Sequence, residues 1–92
     1  MALILPFRGK LPQIAPDAFV ADNATLIGDV VVGAGSSIWF NCVLRADTNF
    51  IHVGTRTNIQ DGTVVHVARA DESPGQGQGV TIGDNVLISH MA

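Results

Sequence analysis

Aliphatic side chains recur every six residues along the first half of the chain, at Ile14, Val20, Leu26, Val32, Ile38 and Leu44. The series slips by three residues, resumes at Val53, Ile59 and Val65, breaks off, and returns at Ile82 and Ile88. A helix repeats its apolar face about every 3.6 residues and a plain strand about every two, so neither alone holds this period. A second slot reinforces the first. Four residues after each aliphatic position stand Ala18, Ala24, Val30, Ser36, Cys42, Thr48, Thr57, Thr63, Val86 and Ala92, all small or β-branched, with Arg69 the exception. Each small residue lies two before the next aliphatic one, so the pair points to one face of a short strand. Turn formers separate the pairs, as in Asp22-Asn23, Gly28-Asp29, Gly33, Gly54 and Gly83-Asp84-Asn85.

Stacked hexapeptides of this kind build a parallel β-helix, three hexads to a triangular coil. The prediction is an all-β solenoid in a single domain over residues 1–92. Residues 1–13 form an extended lead-in, and residues 14–67 and 81–92 form about five coils. Residues 68–80, ARADESPGQGQGV, project as a loop. A small bulge is expected at residues 50–52. Numbering the faces one, two and three from the hexads at Ile14, Val20 and Leu26 places Leu44 and Val65 on face three. Ile38, Ile59 and Ile88 then fall on face two.

Composition fits strands and turns and excludes several alternatives. Of 92 residues, 47% are hydrophobic and 14% charged, with mean hydropathy +0.33 and net charge −3. Such a chain is too apolar for disorder and too acidic for a nucleic-acid surface. No apolar run nears the roughly 18 residues of a membrane helix. The single cysteine, and a start with no basic residue ahead of its short apolar run, fit a reducing, cytoplasmic setting. Cys42 falls in an inward slot, which reads as a buried structural thiol.

The face assignment also sorts the polar residues. Arg45 and His66 share the outward slot after the aliphatic residue on face three, stacked at about 4.8 Å. Asp61 and His90 share a slot on face two, with Gln60 as neighbour. Two histidines at matched heights beside Gln and Asp make a candidate metal site, and neutral imidazole suits zinc, iron and related ions. His52 reads as a surface residue in the small bulge.

The local strings are specific. Arg45-Ala46-Asp47, Ile51-His52-Val53-Gly54, Thr57-Asn58-Ile59-Gln60-Asp61-Gly62-Thr63-Val64-Val65-His66, Ile82-Gly83-Asp84-Asn85 and Ser89-His90-Met91-Ala92 resemble the γ-class carbonic anhydrase family. The resemblance runs from about residue 12 onward. It implies a left-handed β-helix assembled as a homotrimer, with a metal between subunits. That metal would be zinc, or alternatively iron(II) or cobalt(II). It further implies reversible hydration of carbon dioxide to bicarbonate by a metal-bound hydroxide. Residue by residue, it makes His66 and His90 metal ligands from adjoining subunits and Gln60 the group orienting the water, with Asp61 beside it. Arg45 and Asp47 become a salt-bridging pair at the subunit interface. Trp39 and Phe40, outward on a face-two strand, fit either interface anchors or corner packing within one chain. A third histidine is expected past Ala92, so the resemblance implies an N-terminal portion of a longer chain. Thr48 and Arg69 stand where the best-studied subgroup carries acids, and Glu72, in the loop, is a candidate proton shuttle. Two other functions fit the same repeat: a non-catalytic trimeric metal-binding scaffold, and a hexapeptide-repeat acyltransferase.

Overall fold

A computed structural model describes residues 2–67 and 79–92. Ten strands follow one another along these residues: β1 Leu3–Leu5, β2 Gln13–Ile14, β3 Phe19–Val20, β4 Thr25–Val32, β5 Ser37–Ile38, β6 Val43–Val53, β7 Asn58–Ile59, β8 Val64–His66, β9 Val80–Ile82 and β10 Leu87–Ile88. All their pairings are parallel, and they sort into three ladders.

On face one Ile14, Val32, Val53 and Ile82 are in register; on face two, Val20, Ile38, Ile59 and Ile88. On face three the stack is Ile4, Leu26, Leu44 and Val65. The six-residue series thus predicts which residue stacks on which. The described residues carry the chain through a little over three turns, not five, because three hexads complete each turn. The lead-in contributes a rung of its own: β1 pairs with β4 and places Ile4 beneath Leu26. Ile4 is out of phase with the later series, so periodicity alone does not reveal it.

The stacked aliphatic residues form the core. Leu26, Ile38, Leu44, Ile51 and Ile59 are fully buried, each contributing about 1.5–3 kcal/mol of transfer free energy. The small slot carries hydroxyls and a thiol that donate to the carbonyls of the next coil. Ser36 Oγ reaches Gly54 O at 2.6 Å, Thr63 Oγ1 reaches Ser89 O at 3.1 Å, and Cys42 Sγ reaches Gln60 O at 3.1 Å. Thr57 Oγ1 does the same to Gly83 O. Among the described residues no buried side-chain nitrogen or oxygen lacks a partner, as the cost of an unmatched polar group requires.

Two long strands pass from face three to face one without a tight turn. β4 bends at Gly28, which adopts a φ of 80° and lacks the Cβ that would strike the Ala46 carbonyl. β6 follows β4 residue by residue until Gly28–Ala46, and the register resumes at Val30–Ile51. The insertion is therefore residues 47–50, not 50–52: Ile51 and Val53 point inward and hold Ile51–Val53 in the ladder. This also removes Thr48 from the inward series. It stands half-buried in the insertion, and Ile51 takes the inward position ahead of Val53. At the second interruption Val80, expected in the loop, belongs to β9; residues 68–78 of the expected loop lie outside the described residues. Arg69 and Glu72 lie outside the described residues.

Candidate functional site

The outward residue after each aliphatic rung sits where the chain leaves one face for the next, so the register stacks polar groups along the corners. At the end of face three, Arg45 and His66 are direct ladder partners. The insertion turns the chain so that Asp47 lies back over both. Its carboxylate accepts from an Arg45 guanidinium nitrogen at 3.0 Å and from His66 Nε2 at 3.2 Å. Arg45 also lies 3.4 Å from His66 Nδ1. A guanidinium can only donate, so Nδ1 accepts and Nε2 carries the proton toward Asp47. Partial burial disfavours the Asp47 carboxylate, but the hydrogen bond from His66 and the charge of Arg45 outweigh it and hold its pKa below the ordinary aspartate value.

The corner after face two carries the second group. His90 stacks over Asp61, with Nδ1 3.9 Å from a carboxylate oxygen. Gln60 Nε2 donates to Asn58 Oδ1. Asn58 was not singled out from sequence. The available signal was its spacing, because residues two apart on a strand share a face. Trp39 packs on Phe19 at 4.9 Å between ring centroids and donates from Nε1 to Ser37 Oγ at 3.1 Å. Phe40 lies farther off, 6.3 Å from Trp39. His52 lies in β6 facing outward, its ring 4.4 Å from that of Phe50.

The structure thus joins Arg45, Asp47 and His66, separately joins Asp61 with His90 and Gln60 with Asn58, and connects neither corner's group to the other's. Among the described residues no three His, Cys, Asp or Glu side chains converge on a point where a metal could sit. Imidazole is a common nitrogen ligand of divalent ions and a carboxylate against the ring orients a ligating histidine; with Nε2 donating to Asp47, His66 would bind an ion through Nδ1 only once Arg45 releases it. His66 and His90 are both exposed, with side chains 43% and 66% accessible. Both imidazoles are therefore open to solvent on their corners.

Among the described residues no helix is long and apolar enough to cross a membrane. No family model matches the chain. It is 54% identical over 83 residues to a protein of Arabidopsis thaliana named gamma carbonic anhydrase 2, mitochondrial, covering 90% of this chain and 30% of that protein. It is 44% identical over 90 residues to a carbonic anhydrase of Geobacillus kaustophilus, covering 94% and 47% respectively. Among solved structures, a hexapeptide transferase family protein from Anaplasma phagocytophilum superposes with a TM-score of 0.83 at 43% identity, over 97% of this chain and 48% of that one. The chain thus spans less than half the length of each of these relatives.

Proposed function

The chain belongs to the γ-class carbonic anhydrase-like family, and from that premise we propose that it carries two of the histidine ligands of a metal site shared between copies of itself. The observation that carries this reading is the placing of two imidazoles, each against a carboxylate, on successive corners of the solenoid, exposed and unconnected within the chain. His66 of one copy and His90 of its neighbour would hold the ion, zinc or alternatively iron(II) or cobalt(II). Exposed apolar side chains on the adjoining faces support packing of copies in a homotrimer. Leu3 and Val64 lie on face three, and Phe19 and Leu87 on face two, all more than 40% accessible. Trp39 and Phe40 extend that surface.

When bound, the cation would bring the pKa of a water to near 7, the condition for hydrating carbon dioxide to bicarbonate at neutral pH. The remaining roles fall to this chain's residues. Asp47 fixes the ring of His66, and Arg45 holds Asp47. Gln60, steadied by Asn58, offers its amide to orient the water, and Asp61 beside it stands to take up or pass a proton. The lone buried thiol of Cys42 supports a reducing compartment, the cytoplasm.

Cobalt(II) titration followed by visible absorption tests the ligand assignment. Saturable binding is expected, weakened at least about tenfold in His66→Ala and in His90→Ala. Binding unchanged in both variants contradicts it. The likeness to a hexapeptide transferase supports a second reading, acyl transfer from an acyl-CoA. Acetyl-CoA binding by a metal-free protein would favour that reading, and metal binding without carbon dioxide hydration would favour a non-catalytic scaffold.

A further inference from the structure

A cleft of about 180 Å³ lies between the turn closed by the Phe7–Lys10 bridge and the 47–50 insertion of β6. No role described so far uses it. Phe7 and Phe50 give it aromatic walls, Arg8 and Lys10 give cations, and Thr48 and Asn49 give a hydroxyl and an amide. Two carboxylates, Asp29 and Asp47, also border it, and their partners decide its sign. Asp47 is held by Arg45 and His66. Asp29 lies 4.0 Å from Lys10. Arg8 has no carboxylate partner among the described residues; its guanidinium carbon lies 5.3 Å over the Phe7 ring. The unmatched charge is therefore positive, on a chain whose net charge is −3. A guanidinium presents a planar fork of donors that matches a carboxylate in two parallel hydrogen bonds. The volume equals about six waters at their share of roughly 30 Å³ each, room for one ring or short chain bearing an acid group.

We propose that this cleft binds a small organic monocarboxylate, its charge on Arg8 and its hydrocarbon against Phe7 and Phe50. Neither imidazole lines the cleft, although Asp47, which holds His66, borders it. A neighbouring cleft along Gly9, Leu11 and Pro12 shares Lys10 and Asp29 with it.

The test is titration of the whole chain with benzoate, benzamide and benzylamine, which share a ring and differ in charge. Amide chemical shifts are followed with EDTA present, so that no cation at His66 or His90 competes for the carboxylate. Saturable benzoate binding is expected, with shifts centred on Arg8, Thr48 and Asn49. Benzamide and benzylamine should each bind at least about tenfold more weakly. Arg8→Gln should weaken benzoate about tenfold and leave benzamide unchanged; Arg8 is exposed in its turn, so the fold is retained. Phe50→Leu should weaken benzoate and benzamide together. The proposal is overturned by benzylamine or benzamide binding as well as benzoate, by benzoate binding unaltered in Arg8→Gln, or by no saturable shift at these amides.

Discussion

Gly28 stands where two coils approach most closely along the corner between faces three and one. Its φ of 80° is one that side-chain-bearing residues adopt at a cost, and a Cβ there would meet a backbone carbonyl that cannot move without breaking the ladder. Gly28→Ala should therefore destabilise the chain by about 2–4 kcal/mol, read as a fall in the midpoint of urea unfolding. A cost below about 0.5 kcal/mol would mean that β4 and β6 separate easily at this corner. Cys42 gives a contrasting case. It is fully buried, and burial pushes its thiol pKa up despite hydrogen bonds from nearby backbone groups. The thiolate is the reactive form, so alkylation by iodoacetamide at pH 8 should be slow in the native chain and fast after unfolding. Equal rates in both states would place Cys42 at the surface.

At the scale of the strand, Asp47 ties β6 to β8 through His66. Its carboxyl pKa lies below the ordinary aspartate value in the folded chain, so the ionised form stabilises the fold. That contribution is fully present above the unfolded carboxyl's range, near 3.9, and is lost as pH falls through the lower folded value. Asp47→Asn should then cost about 1 kcal/mol or less at pH 7, because both partners are substantially exposed. The gap between wild type and variant should close in strong acid. A gap that stays constant with pH would show that the Asp47 charge does nothing for the fold. The strands were legible to a different degree than these ties between them. Ile14, Val32, Val53 and Ile82 stack as the six-residue series predicts, because an inward position repeated every hexad can satisfy its neighbours only in register. The insertion was misplaced because Ile51 and Val53 alternate as well as any strand pair. Only the ladder distinguishes 47–50 from 50–52, and only that placing explains why Asp47 reaches back to Arg45 and His66. Ile4 and Asn58 were missed for a related reason: one is out of phase, and the other matters only through the contact it makes.

At the scale of the molecule, the narrow prism accounts for the low charge and high apolar content. Its core is one stacked column of side chains, and much apolar surface remains outside on faces two and three. Exposed apolar surface of this kind suits packing against another copy, as the proposed homotrimer requires. The same scale explains why the candidate site was only half readable. Sequence placed His66 and His90 on their corners, but no register within one chain can bring those corners together. The central claim is thus that His66 and His90 meet across copies. Mixing His66→Ala and His90→Ala chains tests it most directly. Each variant alone should lack a complete site. After joint unfolding and refolding in equal amounts, about a quarter of the seams in a closed ring should pair an intact His66 with an intact His90. Saturable cobalt(II) binding should return to about that fraction of the wild-type level. No recovery in the mixture, with each variant folded and associated as the wild type is, would contradict a site shared between copies.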